Sequence, residues 1–416
     1  MRYFLILCIG IFLYGADATL EIVKNVDNRP SVAIEDASEF GNSYVKKRFF
    51  RLVLGDLKTT SHFKVDDTHR IADYDDLINP VLKQNRYIVR YSFKRSDGQR
   101  LVLDFKVFDM DSKGWVFERR YVVGNHARYP FLIHQAVIDF NNFLGLPSVA
   151  WMKRYVVLSQ YIGSKQSKIL IADYTLTYRK TIISGGLNIF PKWANQEQKG
   201  IYYTKVGKKP ILYYYDIYTG EQRKVISSDG MIICSDVSTD GKRLLLTKAP
   251  NGQPDIYLYD TVSKKEQRLT YYLGIDVSGQ FIDDERAIVF VSDRLRKPNI
   301  FKLKIGQRGV SQLVYHGRSN SSCTAHGKYV VYTSRESSNA FSSNTFNLYL
   351  VSTQSDYIRR LTASGINQFP KLSQDGKSVL YIKHYASQSA LGIIRLEYNE
   401  GFLFPLTGLK IQSIDW

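Results

Sequence analysis

The feature that most limits the possible folds of this 416-residue chain is a repeat that runs from about residue 150 to Trp416. Six short apolar segments each end in a polar residue, and these residues lie 43 to 48 positions apart, at Asp173, Asp216, Asp260, Lys304, Ser352 and Glu397. Nine residues after each comes a second landmark, at Ile182, Val225, Leu269, Leu313, Leu361 and Leu406. A period of about 40–50 residues with several strands per unit is the signature of a β-propeller. Six copies predict six blades.

Each repeat is predicted to hold four antiparallel strands, which the third repeat shows best. Its strands fall at residues 234–237, 244–247, 256–259 and 266–270. Gly241 lies in the tight turn between the first two, where glycine supplies the positive φ that such a turn requires. The equal spacing of the repeats argues against six unrelated hairpins in a sandwich.

The last residues of the chain resemble the start of the second repeat. Residues 408–416 match residues 186–193, yet no repeat follows them, and the first repeat begins at its second strand. We therefore predict that residues 411–416 supply the innermost strand of the first blade. This pairing would close a propeller of residues 149–416 and remove two exposed sheet edges.

The sequence before the repeats predicts a small α+β domain over residues 30–146. A short strand at 31–34 is followed by a helix at about 42–58, whose apolar residues recur at helical spacing: Val45, Phe49, Leu52, Val53 and Leu57. Three antiparallel strands follow at 86–93, 99–110 and 115–123. Pro130 can open a second helix, and Gly145 can end it.

The first 18 residues have the composition of a secretory signal peptide. Arg2 is the charged start, residues 3–14 form the apolar run, and Ala16 and Ala18 match a small-x-small cleavage site. The run is too short to span a bilayer. We expect export and cleavage after Ala18.

Composition indicates a globular chain, with 44% hydrophobic and 23% charged residues. The net charge of +18 indicates either an acidic partner or a generally basic proteome. Lys and Arg are scattered and no nucleic-acid module is present, so no nucleic-acid partner is predicted. Cys234 and Cys323 fall in blades that are not neighbours, which predicts two buried thiols and no disulfide.

The sequence contains no recognisable catalytic constellation. It lacks the Gly-x-Ser-x-Gly, His-Glu-x-x-His, Cys-x-x-Cys and Walker patterns, and its histidines have no ligand spacing. Asp173, Asp216 and Asp260 could bind metal, but matched positions of successive blades lie far apart, and such residues usually hydrogen-bond a turn. We predict no catalytic residue, no metal and no cofactor, which favours a binding scaffold.

Several segments resemble the TolB family, the periplasmic component of the Tol-Pal system. These are residues 20–30 at the mature start, 55–58 with 63–65 around the first helix, and 290–294 with 297–300 in the fourth blade. The resemblance covers essentially the whole chain after the signal segment. Residues 195–196, 284–285 and 326–327 depart from the family's Asp-Gly turn, which indicates a divergent member.

The resemblance implies a monomeric, non-enzymatic adaptor in the periplasm. Family members bind the peptidoglycan-associated lipoprotein Pal at one mouth of the propeller and TolA through the mature N-terminus. Through Pal they associate peripherally with the outer membrane, whose integrity and constriction they support during cell division. The alternatives are another exported propeller scaffold, such as an outer-membrane assembly factor, and a propeller lyase or glycosidase.

Two segments are the candidate partner-binding sites. Loops that lead into the innermost strands ring the mouth, and the repeat alignment places nine residues there: Asn188, Met231, Ile233, Asp276, Ser278, Asn320, Ser322, Asn367 and Gln368. Their mixture of polar and apolar side chains is typical of an interface.

The second candidate is an N-terminal arm, residues 19–29, with contacts expected from Leu20, Glu21, Ile22, Val23 and Val26. Its alternating pattern is typical of a strand that adds to a sheet edge, in this chain or in a partner. A switch between the two and a permanently docked strand are both compatible with the sequence.

Overall fold

The computed structural model describes residues 28–96, 100–336, 345–406 and 408–416. The fold class is confirmed, because an α+β domain is followed by a six-bladed β-propeller. The predicted signal segment and residues 19–27 of the N-terminal arm lie outside the described residues, including Ala16, Ala18, Leu20, Glu21, Ile22, Val23 and Val26.

The N-terminal domain is built on one mixed sheet with two helices packed against it. Its strands are β1 (Ser31–Asp36), β2 (Lys64–Val65), β3 (Arg70–Ile71), β4 (Tyr87–Arg95), β5 (Leu101–Asp109) and β6 (Gly114–Val123). The strand order is β2-β1-β4-β5-β6, with β3 also paired to β1. The β1 strand runs parallel to its neighbours, whereas β4, β5 and β6 form an antiparallel meander.

Local signals account for the two helices of this domain. Helix α1 (Ser43–Thr59) begins after Asn42, whose side-chain oxygen accepts a 2.9 Å hydrogen bond from the Tyr44 backbone N–H. Helix α2 (Tyr129–Phe143) has Pro130 in its first turn, and Gly145 follows it with a φ of +65°. The apolar residues predicted for the first helix all lie in or against the core that it shares with the sheet.

Each blade is a four-stranded antiparallel sheet, numbered here from the central axis outward. The first is β30 (Lys410–Asp415), β7 (Val156–Gly163), β8 (Gln166–Ala172) and β9 (Arg179–Ile183), and the second is β10 (Leu187–Trp193), β11 (Gly200–Val206), β12 (Ile211–Asp216) and β13 (Gln222–Ser227). The third is β14 (Ile232–Val237), β15 (Arg243–Lys248), β16 (Asp255–Asp260) and β17 (Glu266–Arg268), and the fourth is β18 (Asp276–Ile282), β19 (Ala287–Ser292), β20 (Asn299–Lys304) and β21 (Val310–Gln312).

The last two blades follow the same pattern. The fifth is β22 (Ser319–His326), β23 (Tyr329–Arg335), β24 (Phe346–Ser352) and β25 (Ile358–Arg360), and the sixth is β26 (Ile366–Leu372), β27 (Ser378–His384), β28 (Ser389–Arg395) and β29 (Glu400–Leu406). One bridge between Phe346 and Ile366 links these two blades. Apolar clusters between neighbouring blades hold the ring together.

The C-terminal strand completes the first blade. Strand β30 pairs antiparallel with β7, with Ile414 opposite Leu158 and Asp415 opposite Val157. Ile411 and Ile414 are almost completely buried, and the Trp416 ring contacts Trp151 edge to face, with 5.4 Å between centroids. The first blade therefore contains both ends of the propeller sequence.

The acidic residues that end the third strands form turns, as the sequence suggested. Oδ1 of Asp216 accepts hydrogen bonds from the backbone N–H groups of Tyr218 and Thr219, both at 2.9 Å. Asp260 does the same for Val262 and Ser263, at 2.8 and 2.7 Å. The repeat landmark is thus a turn-forming carboxylate.

Asp173 is the exception, because its turn also contacts the N-terminal domain. Nδ1 of His134 lies 2.6 Å from Oδ2 of Asp56 in α1, and Nε2 lies 3.3 Å from Oδ2 of Asp173. The Tyr174 hydroxyl donates a 2.5 Å hydrogen bond to Asp56, and all four side chains are buried. Both ring nitrogens lie within hydrogen-bond distance of carboxyl oxygens, an arrangement that favours the doubly protonated imidazolium form of His134.

This cluster links the two domains through charge as well as through packing. Burial alone would lower the pKa of His134, but the carboxylates of Asp56 and Asp173 outweigh it and raise the pKa to about 9. Around the cluster, α1 and α2 share one hydrophobic core with the first and sixth blades, including Trp151, Leu380 and Ile414. The N-terminal domain thereby covers one end of the first and sixth blades.

Candidate functional site

The strand order determines which loops surround each end of the propeller. One end carries the loops that lead into the innermost strands and the turns between the second and third strands, and we call it the mouth face. The opposite end carries the remaining turns, including the Asp173 turn that contacts the N-terminal domain. The mouth face therefore points away from the domain contact.

A bulge near the mouth interrupts all six innermost strands. The register shifts between Ile189 and Lys192 in β10, and equivalent shifts occur in β14, β18, β22, β26 and β30. In four of these strands a non-glycine residue at the bulge has positive φ: Phe190 (52°), Ser278 (59°), Ser322 (50°) and Phe369 (53°). Bulges change the direction of side chains and cluster next to functional sites.

These bulges border a cavity of about 230 Å³ in the centre of the ring. Phe190, Phe369, Met231 and Ile233 supply apolar surface to its wall, and Ser278 and Ser322 supply hydroxyl groups. The cavity is large enough for one or two side chains of a partner. Its apolar wall with a few polar groups is typical of a binding pocket.

The nine predicted mouth residues fall into two groups in the structure. Met231, Ile233, Ser278 and Ser322 line the cavity, and Gln368 is half-buried beside it. The prediction that the others line the mouth is wrong for their side chains, because these are buried within the ring: Asn188, Asp276, Asn320 and Asn367.

The buried residues instead hold the preceding loops in shape. Nδ2 of Asn188 donates to the carbonyl of Gly185 at 3.1 Å, and Nδ2 of Asn367 donates to that of Ser364 at 3.0 Å. Asp276 forms a charged pair with Arg294, at 3.1 and 3.0 Å from Nη2. These contacts connect each loop to its own strand or to the next turn, so they determine the shape of the mouth without facing a partner.

Deeper in the channel, the residues at one repeat position form a charged ring: Lys192, Asp236, Gln280, Thr324, Lys371 and Asp415. Nζ of Lys192 lies 3.2 Å from both Asp236 and Asp415, while Nζ of Lys371 lies 3.7 Å from Asp415. Burial would lower the pKa of Lys192, but the two carboxylates outweigh it and hold that pKa above its usual range.

Lys371 forms the weaker ion pair in this ring. Burial and the nearby ammonium group of Lys192 lower the pKa of Lys371, against the attraction of Asp415. The floor of the channel thus contains two lysines and two aspartates whose charges balance, below the apolar wall of the cavity.

Both predicted thiols are free and buried beside the cavity. Burial raises the pKa of Cys323 to about 12 and holds that of Cys234 above its usual range, so neither is a reactive thiolate. Among the described residues, no three His, Cys, Asp or Glu side chains converge as ligands on a metal ion.

The predicted mouth residues did not include Phe190 and Phe369, which contribute the aromatic surface of the mouth. Both stand two positions after a buried asparagine and directly before a proline, at Pro191 and Pro370. This shared Asn-x-Phe-Pro pattern was a signal that the repeat alignment contained. The sequence analysis placed the lining in the loops before the innermost strands, whereas these two phenylalanines lie at the bulges within the strands.

The described chain begins beside the sixth blade. Nη1 of Arg29 lies 2.8 Å from Oε1 of Glu400, and its guanidinium lies 5.3 Å from the ring centre of Tyr398. These contacts fix the base of the N-terminal arm at the turn between the third and fourth strands of that blade. The arm therefore starts from the end of the propeller opposite the mouth face.

Comparison with known proteins identifies the family. The family model described as "TolB beta propeller domain" matches residues 149–403. The chain belongs to the TolB family. The Tol-Pal system protein TolB of Wolinella succinogenes is 49% identical, with all of both chains covered, and that of Campylobacter jejuni is 43% identical over 97% of this chain and 96% of the relative.

A solved structure supports the same fold. The crystal structure of TolB from Acinetobacter baumannii is 21% identical and covers 93% of this chain and 97% of its own, with a TM-score of 0.73. No helix in the part of the chain that the structure describes combines the length and apolar composition needed to cross a bilayer.

Proposed function

We propose that this TolB-family chain is a periplasmic adaptor of the Tol-Pal complex, which binds Pal through the mouth face of the propeller. The apolar cavity at the mouth is the observation that carries the proposal. It is open on the face that points away from the N-terminal domain, so a partner has access to it while the domains stay in contact. The relatives named as Tol-Pal system proteins support the choice of partner.

The chemistry of the mouth favours a folded protein partner over a substrate. Phe190, Phe369 and Ile233 supply apolar surface to the cavity, and Ser278 and Ser322 supply hydroxyl groups to the same wall. Apolar surface together with polar groups is typical of a protein interface. The chain therefore acts by binding, and no catalytic step is assigned to it.

The N-terminal arm is the proposed contact with TolA. Arg29 holds the base of the arm against Glu400 and Tyr398, at the far end of the propeller from the mouth. Pal and TolA would then bind at opposite ends of one molecule, as an adaptor requires. Such a link between TolA and the Pal lipoprotein at the outer membrane would support outer-membrane integrity and constriction during cell division.

An affinity capture from envelope extract tests the proposal. The tagged mature chain should recover Pal and TolA, and a variant lacking residues 19–26 should recover Pal alone. Recovery of outer-membrane assembly proteins without Pal would contradict the proposal and support the alternative scaffold function.

A further inference from the structure

The mouth face carries one loop that differs from its five equivalents. The loop between β17 and β18 spans residues 269–275 and reads Leu-Thr-Tyr-Tyr-Leu-Gly-Ile. Leu273 at its tip is 93% exposed and Tyr271 is 72% exposed. The equivalent loops at residues 184–186, 228–231, 313–318 and 361–365 are shorter. The loop at 313–318 also exposes an aromatic side chain, since Tyr315 is 82% exposed, but its sequence has no leucine at the tip. We call residues 271–275 the Leu273 loop.

Hydrogen bonds hold this loop in a single shape although its tip is exposed. Nε2 of Gln253 donates to the carbonyls of Tyr272 and Gly274, at 2.8 and 2.5 Å. Oδ1 of Asp293 accepts from the Ile275 backbone N–H at 2.8 Å. A Cβ at Gly274 would lie only 2.3 Å from that same oxygen, so the close contact requires glycine.

A rigid apolar loop is well suited to anchor a partner. Its conformational entropy is already lost before binding, so apolar contact at Leu273 is not offset by a cost of ordering the loop. Exposed apolar residues near it extend the surface, since Ile275 is 46% exposed and Leu295 on the adjacent turn is 55% exposed. The patch is continuous with the mouth, because Ile275 directly precedes the innermost strand β18.

The cavity lies on the propeller axis, so a contact there has little leverage on how the partner is rotated about that axis. Its wall is not sixfold symmetric, since Phe190 and Phe369 belong to the second and sixth blades and Ser278 and Ser322 to the fourth and fifth. The Leu273 loop lies off the axis, between the third and fourth blades. A contact at that distance from the axis constrains the rotation more strongly than a contact in the cavity.

We propose that the Leu273 loop is the off-axis anchor that fixes how the partner is rotated on the mouth face. The matching surface on the partner is an apolar patch bordered by carboxylates, because exposed Arg296 and Lys297 stand on the turn beside the loop. This inference rests on the proposed function, since the partner is the Pal lipoprotein. It adds the place and the chemistry of a contact outside the channel.

Binding of the purified Pal periplasmic domain to the mature chain tests the proposal. Leu273→Ser should weaken binding at least tenfold, mainly through faster dissociation. Val262→Ser is the matched control, since Val262 is 72% exposed on the opposite face. That control should stay within twofold of the parent, and both variants should keep the parent's melting temperature.

Photo-crosslinking separates a loss of orientation from a loss of contact area. A benzophenone amino acid at Tyr385, which is exposed on the mouth face outside the cavity, should label one Pal peptide in the parent and several peptides in Leu273→Ser. If Leu273→Ser kept parent-like affinity and a single labelled peptide, this inference would be overturned. Pal binding by the parent would still support the proposed function in that case. If the parent itself did not bind Pal, both would fail.

Discussion

The backbone N–H of Trp193 donates a 2.9 Å hydrogen bond to Oδ2 of Asp415, which joins the innermost strands of the first two blades. Asp415 is the penultimate residue of the chain, whereas Trp193 belongs to the second blade. Oδ1 of the same carboxylate lies 3.2 Å from Nζ of Lys192. The end of the chain thus closes the ring and completes the charged floor of the channel.

Removal of residues 411–416 should destabilise the propeller far more than the loss of six surface residues would. It leaves the inner edge of β7 unpaired, although β8 still pairs with the other edge, and it opens a gap in the ring. Ile414→Ala is a milder version and should cost about 2–5 kcal/mol of unfolding free energy, because Ile414 is buried. Thermal melting measures both, and a truncated chain that melts like the parent would show that the ring closes in another way.

The His134 cluster should make the domain contact depend on pH. The pKa of His134 in the folded chain is about 9, above its ordinary value of 6.5, so its contribution to stability is complete below about pH 6.5. That contribution is lost as the pH rises through 9. The melting temperature of the parent should therefore fall between pH 7.5 and 9.5.

His134→Gln is the control for this pH dependence. It leaves Asp56 and Asp173 without a cation and should cost about 3 kcal/mol or more. Its melting temperature should be lower at neutral pH and should fall less steeply over the same range. Equal slopes in the two proteins would mean that another group causes the dependence.

Asp276 should prove to be a structural residue, contrary to its predicted place in the mouth. Its carboxylate is buried and pairs with Arg294, which is itself partly exposed. Asp276→Ala should therefore lower the unfolding free energy by about 1.5–3 kcal/mol. Denaturant unfolding is the measurement, with Val262→Ala as the control, because Val262 is 72% exposed. Asp276→Ala with parental stability and lost Pal binding would restore the original interpretation.

Deletion of residues 19–26 should remove TolA binding, leave Pal binding nearly unchanged, and barely alter the melting temperature. Arg29 keeps its contacts with Glu400 and Tyr398 in this variant, so the base of the arm stays in place. In the parent chain, amide exchange on residues 20–26 distinguishes a switching arm from a permanently docked strand. Protection that is the same with and without Pal would contradict the switch and favour a permanently docked strand.

Much of the fold follows from the sequence because its signals are local and periodic. The 43–48-residue spacing predicts the blades, and the match between residues 186–193 and 408–416 predicts the closing strand. The first helix is predicted to within a few residues by its apolar periodicity, and the second is predicted to open at Pro130 and to end at Gly145.

The site was less predictable because it depends on register and on distant contacts. A bulge reverses which side chains face the channel, so Phe190 faces the cavity while Asn188 is buried. The positive φ of Phe190 and Phe369 has no glycine to signal it. His134 lies 78 residues from Asp56 and 39 residues from Asp173 along the chain. Only the docking of the two domains brings the three side chains together.

The central claim is that Pal binds at the mouth of the propeller. Its most direct test is the affinity of the purified Pal periplasmic domain for the mature parent, for Ile233→Arg and for Val262→Arg, measured by titration calorimetry. Ile233 lines the cavity and Val262 is exposed on the opposite face. We predict that Ile233→Arg abolishes measurable binding at an unchanged melting temperature, while Val262→Arg binds like the parent. Equal affinities of all three proteins would contradict the account.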